Sequence, residues 1–259
     1  MQQAHFFING PQGREYRVSL AWPSMSAPAQ GWPAALVLDT PQFERLVGPT
    51  LALEPDWPAA LIGVGYVDTV EREADYPPCD AEGQAGGAAD FLVFLQQSVL
   101  PAVQARLAVD HRQLCLFGHS LAGLFALYAA THSRQVFQAF VVSSPSVWWA
   151  QGQAVQACLR AIVSAPPAEP KRQLLISVGE YEQSLSPQEQ ELELTERQRR
   201  YQRRSERRMV DGARELAQRL QRHADFQVSF RLIQACGHGE AAIQAFVQGW
   251  RFILNRSDR

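Results

Sequence analysis

The chain has 259 residues, 46% of them hydrophobic and 19% charged, with a net charge of −2. That length suits one large α/β domain, and so much apolar content fills a sizeable core. The near-neutral balance gives no global field to recruit nucleic acid or an anionic membrane, and no apolar run approaches the roughly 18 residues of a membrane span.

Short strands are expected at 5–9 and 16–22, then a Pro/Ala/Gly loop over 23–32. The compact apolar run 34–38 reads as a strand ending in a loop at Asp39-Thr40-Pro41. Residues 61–66 form the next strand, followed by a polar loop, 67–87, that carries Arg72, Asp75, Tyr76, Pro77 and Pro78. Loops of that length in a compact domain are usually functional or disordered. Residues 88–107 have helical spacing through Phe91, Phe94, Leu95 and Val99. Asp110-His111-Arg112 turns into a strand at 114–117, and a helix-like run begins at Leu121. Further strands are expected at 139–143, 173–178 and 227–233, with helices at 153–163 and 240–254.

Strands separated by helical segments imply βαβ units and a mostly parallel sheet. No repeat or linker divides the chain, so a single domain over 1–259 is expected, with a charged helical insertion at about 183–210. That insertion holds seven arginines, at 197, 199, 200, 203, 204, 207 and 208. The glutamates among them favour a solvated helix with i,i+4 Glu–Arg pairs over an anion- or nucleic-acid-binding patch. A place as a lid over the site stays open.

Four cysteines, at 79, 115, 158 and 236, are widely scattered and are expected to be buried free thiols. No Cys/His pair has metal-ligand spacing, and neither metal nor organic cofactor is expected. The opening stretch lacks a basic region followed by an apolar one, so a cytoplasmic location is expected, or a periplasmic one if a signal preceded it.

The chemistry centres on Gly118-His119-Ser120. A strand, a sharp corner with a central serine and then a helix make a nucleophile elbow. Small neighbours are needed where strand and helix cross. Gly118 meets that need, and Ala122 stands where the motif has a second glycine. The competing reading is a strand–helix junction with an incidental serine. A serine hydroxyl needs a base, and the base needs an orienting acid. After the strand at 173–178 comes Gly179-Glu180-Tyr181-Glu182, and after the last strand Gly237-His238-Gly239. This is the order Ser, acid, His, with each group at the carboxyl end of a strand, where sites of open parallel sheets form. His238 is therefore the candidate base. Glu182 is preferred as the acid, Glu180 is its alternative, and a Ser–His dyad stays open. The oxyanion hole calls for two backbone N–H donors, assigned to Leu121 and to the loop near Thr40.

These residues together resemble the esterase D-like branch of the α/β-hydrolases, and within it the siderophore esterases that open enterobactin- and salmochelin-type trilactones. The likeness rests on Leu36-Val37-Leu38-Asp39, Ile62-Gly63-Val64-Gly65-Tyr66, Arg72 with Asp75-Tyr76-Pro77-Pro78, Gly86-Gly87-Ala88, Gly118-His119-Ser120, Ser144-Pro145-Ser146 with Trp148-Trp149, the 178–182 turn and Gly237-His238-Gly239. Thr40 stands where the family usually has glycine. The resemblance implies an α/β-hydrolase fold with a mostly parallel sheet flanked by helices. It also implies a serine carboxylesterase acting on a small-molecule ester, most readily a catecholate trilactone siderophore. Arg72 and Tyr76 would then bind the acyl part, with Trp148 and Trp149 as an apolar wall. Their structural alternatives are an Arg72–Asp75 pair and tryptophans in the core. The rival functions are a short-acyl, feruloyl or acetyl esterase and a non-catalytic binding protein of the same fold.

Overall fold

The computed structural model describes residues 1–53, 57–133, 135–163 and 171–254. Two strands, β1 (Gln2–Asn9) and β2 (Glu15–Trp22), pair antiparallel, and β2 pairs antiparallel with a later strand, β4 (Ala60–Tyr66). Everything beyond is parallel: β3 (Trp32–Leu38) lies between β4 and β5 (Val109–His119), followed by β6 (Ala139–Ser143), β7 (Arg172–Gly179) and β8 (Phe226–Ile233). The eight strands form one sheet in the order β1-β2-β4-β3-β5-β6-β7-β8, the expected α/β-hydrolase architecture.

Alternation along the strands divides the core into two layers. On β3, Ala34, Leu36 and Leu38 face one layer, and Ala35 and Val37 face the other. The second layer is covered by α1 (Thr40–Leu53), through Phe43, Leu46 and Val47, and by the last helix, which contributes Phe246 and Trp250. The first layer lies under helices that contribute Phe91, Phe125, Ile162 and Leu216. A short helix, α2 (Arg72–Asp75), precedes α3 (Ala88–Phe94), which runs through a wide turn at Leu95–Val99 into α4 (Leu100–Gln104). The elbow helix α5 (Leu121–His132) is apolar nearly all round and buried, as a helix enclosed by its domain must be. Next come α6 (Gln153–Val163), α7 (Pro187–Gln190), α8 (Leu194–Arg207), α9 (Met209–Gln221) and α10 (His238–Leu254).

The structure corrects the reading in three places, one being that Asp110-His111-Arg112 is no turn but part of β5. The chain after β3 is not only a loop. Phe43, Leu46, Val47 and Thr50 recur at helical spacing on α1, a signal obscured by Gly48-Pro49 inside it. The 67–87 stretch is not wholly irregular either, because it contains α2. Cys79, Cys115, Cys158 and Cys236 are free thiols, and Cys236 is the least buried of them. No helix among the described residues is long and apolar enough to cross a membrane.

Candidate active site

β5 ends at His119 and α5 begins at Leu121, which leaves Ser120 at the corner with φ 62° and ψ −120°. A residue with a side chain seldom adopts this conformation, and it costs about 1–3 kcal/mol that the surroundings must offset. Backbone hydrogen bonds impose it. Ser120 N–H donates to the Ser143 carbonyl at 3.0 Å, and the Ser120 carbonyl accepts from the N–H groups of Leu124 and Ser146, each at 3.1 Å. The glycines make room. A Cβ on Gly118 would stand 1.9 Å from the Ala122 carbonyl oxygen, and one on Gly123 would stand 2.7 Å from that of Ser143. Ala122 itself is buried without difficulty.

The acidic turn follows β7. A Cβ on Gly179 would lie 2.6 Å from the Cys236 carbonyl oxygen, so glycine lets this turn press against the loop after β8. Tyr181 N–H donates to that same oxygen at 2.9 Å. The turn buries Glu182, which is 4% exposed. Its Oε1 accepts from the Gly179 N–H (2.7 Å) and the Ser144 hydroxyl (2.5 Å), and its Oε2 accepts from His238 Nδ1–H (2.6 Å). Burial works to raise the Glu182 carboxyl. The hydrogen bonds from His238, Ser144 and Gly179 outweigh it and hold the group below the ordinary carboxylate range. An ionised carboxylate only accepts, so the proton sits on Nδ1 and Nε2 is left for the cleft.

Glu180, two residues away, has another partner: its Oε2 accepts from the Ala235 N–H at 2.7 Å. The turn thus separates the two glutamates that the sequence left open. His119 lies with its ring centroid 4.5 Å from that of His238, and its Nδ1 is 2.9 Å from the Ser143 hydroxyl. Burial, and then the charge of His238, push His119 down to about 3, so it stays neutral beside the second imidazole.

Ser120, His238 and Glu182 line one cleft of ≈ 180 Å³, roofed by Trp148, Arg203 and Arg207. Leu121 and Thr40 are the first residues of α5 and α1, so both backbone N–H groups lack intrahelical partners. They follow the carboxyl ends of β5 and β3, which are neighbours in the sheet.

The other predicted binders divide. Arg72 does not pair with Asp75. Its guanidinium bonds Asp39, whereas Asp75 accepts from Arg14 (2.7 Å) and from the Tyr16 hydroxyl (2.6 Å). Asp39 has φ 81° on the loop that leads to Thr40. Burial raises its carboxyl, and Arg72 only partly offsets this. Tyr76 is fully buried, packed with Tyr66, Phe91 and Phe125, so it lies in the core and not on the cleft. Trp149 is likewise buried, its indole N–H donating to the Cys79 carbonyl at 2.7 Å. Trp148 faces the cleft, with the Arg207 guanidinium 4.3 Å above its ring centroid. Sequence reasoning assigned no role to Ser144 or to Asp39. Both follow strands and have positive φ, a conformation that the sequence does not display. No group of three or more His, Cys, Asp or Glu among the described residues could hold a metal ion.

The Esterase family model, described as "Putative esterase", matches residues 11–235. The siderophore enterobactin esterase of Emericella nidulans is 31% identical over 245 residues, spanning 82% of this chain and 80% of that protein. The ferri-bacillibactin esterase BesA of Bacillus subtilis is 23% identical over 256 residues, spanning 90% of this chain and 81% of its own. Among solved structures, siderophore hydrolase EstA from Aspergillus nidulans superposes with a TM-score of 0.84 at 25% identity, covering 98% of this chain and 95% of that one. With an elbow serine and an imidazole–carboxylate pair lining one cleft of this sheet, the chain belongs to the Esterase family.

Proposed function

We propose that the protein is a serine carboxylesterase that opens ester bonds of a trilactone siderophore. The observation that carries the catalytic part is the His238 Nδ1–Glu182 hydrogen bond in the cleft that holds Ser120. The substrate class is supported by the names of the relatives, which are siderophore, enterobactin and ferri-bacillibactin esterases. Ser120 Oγ attacks the ester carbonyl while His238 Nε2 takes its proton. Glu182 holds the tautomer and offsets the imidazolium charge as it forms. The N–H groups of Leu121 and Thr40 receive the oxyanion. His238 then protonates the leaving alkoxide, and a water activated by the same nitrogen releases the acid from Ser120. Neutral His119 adds no competing charge beside the imidazolium. The whole works as one domain, with α7 and α8 as a charged lid.

The test is hydrolysis of a catecholate trilactone, ferric and iron-free, beside p-nitrophenyl acetate, with wild type and Ser120→Ala. Ser120→Ala is expected to fold and to lose about 10⁴–10⁶ in kcat. A folded variant that keeps a tenth of wild-type kcat rejects the nucleophile. A trilactone turned over no better than p-nitrophenyl acetate replaces the siderophore reading with that of a short-acyl esterase.

A further inference from the structure

Four arginines on α8 fall into two pairs. Arg200 and Arg204 are neutralised: both bond Glu189, and Arg200 also bonds Glu196. Arg203 and Arg207, each three residues further on, have no ion-pair partner among the described residues. Both line the cleft with Ser120 and His238. They stand one turn apart, so their charges oppose each other. Burial and then the charge of Arg203 lower the pKa of Arg207. Among the described residues, Glu182 is the one carboxylate lining this cleft, and His238 already occupies it.

Proton delivery fixes which part of a substrate would meet these arginines. His238 must reach the leaving oxygen, so the alcohol part lies on its side of Ser120, where a neighbouring hollow is lined by Glu189 and Glu240. The acyl part is then left to the Ser120 cleft itself, which Trp148 and Arg207 line, whereas they do not line the hollow. There the Arg207 guanidinium lies over the Trp148 indole face, and with Arg203 it brings donors and positive charge to the cleft.

We propose that Arg203 and Arg207 form an anion subsite that binds a negatively charged oxygen carried by the acyl part of the ester, with Arg207 stacked on Trp148. This rests on the serine-esterase reading and adds the charge of the substrate to it. Such a pair selects anionic esters through binding, so its signature is in KM and in salt dependence.

The experiment compares two six-carbon esters with one leaving group, mono-p-nitrophenyl adipate and p-nitrophenyl hexanoate, which differ in a terminal carboxylate. For the wild type, kcat/KM is expected to favour the adipate ester by about tenfold or more at low salt, with the preference shrinking as NaCl rises. Arg203→Gln should reduce the adipate/hexanoate ratio several-fold, and Arg203→Glu should abolish it, chiefly through the KM of the adipate ester. If a variant fails to fold, the salt dependence of the wild-type ratio decides alone. A ratio near one that neither salt nor substitution moves overturns the subsite and leaves the esterase standing. Turnover of neither ester, or turnover that survives in Ser120→Ala, overturns the esterase reading and the subsite with it.

Discussion

The floor and the roof of the cleft are built in opposite ways. The floor consists of turns at the carboxyl ends of β5, β6 and β7. Its backbone is strained at Ser120 and Ser144, and Glu182 is nearly out of contact with water, held by three donors. The roof is α8, which has no buried residue and is tied down by part-buried ion pairs at the surface. Geometry therefore comes from these turns, where the elbow fixes a hydroxyl and buried Glu182 holds the half-exposed imidazole of His238. Charge comes from the surface, where it costs little to hold. Changes to the floor should be felt in kcat, and changes to the roof in KM and in salt dependence.

The largest expected effect that sharpens this contrast is Glu182→Gln. It should lower kcat by about 10³–10⁴ and leave KM nearly unchanged, because the imidazole loses its orienting acceptor. Glu180→Gln should stay within a few-fold. Steady-state kinetics of both variants decide, and two mild effects would make the enzyme a dyad. Thermal unfolding adds a check. The folded Glu182 carboxyl lies below its unfolded value, so the stability it adds is complete above about pH 4.5 and is lost as pH falls through the folded value. The Tm gap between wild type and Glu182→Gln should close in that acid range.

Arg72→Ala is next, and it tests whether Arg72 belongs to the floor. It removes the partner of buried Asp39, at an expected cost of about 1–3 kcal/mol at pH 7.5, moderated because Arg72 is half exposed. That corresponds to a fall in Tm of about 3–10 °C for a chain of this size. The folded Asp39 carboxyl already lies above its unfolded value, so its protonation favours the fold, and the loss should shrink as pH is lowered toward 5. A Tm unchanged by Arg72→Ala, with a raised KM for a catecholate ester, would return Arg72 to substrate binding.

The smallest effect belongs to the roof. Hydrogen bonds from Arg204 first, against some burial, and then from Ser186 and Arg200, bring the Glu189 carboxyl down to about 2. The network is part-buried, with Glu189 15% and Arg204 20% exposed, so Glu189→Gln should cost about 1 kcal/mol, and the difference should shrink in 0.5 M NaCl. A larger, salt-insensitive loss in urea denaturation would mean that the lid is held by packing.

The sheet was legible because its strands are compact apolar runs between polar turns, and the elbow because Gly118-His119-Ser120 sits between such a run and an apolar helix. What was not legible depends on distance. Nothing local tells that Arg72 reaches Asp39, 33 residues away, and leaves Asp75 to Arg14 and Tyr16. Tyr76 and Trp149 look like cleft residues from their loops, and only the packed aromatic layer beneath reveals them as core. Glu180 and Glu182 differ by which way one turn faces, and the close approach at Gly179 sets that.

β8 has a strand partner on one side only, β7, and much of its length is half exposed. His238 opens α10 a few residues beyond it, whereas Ser120 follows β5 in the middle of the sheet. The proposed nucleophile and the proposed base thus follow strands of unequal cohesion. A sheet margin opens locally at less cost than the whole domain unfolds. Peeling of that one strand would loosen the chain leading to His238 and uncover Glu182 while the elbow stays folded, so on the proposed mechanism activity is expected to fall under heat or denaturant before the bulk of the fold is lost.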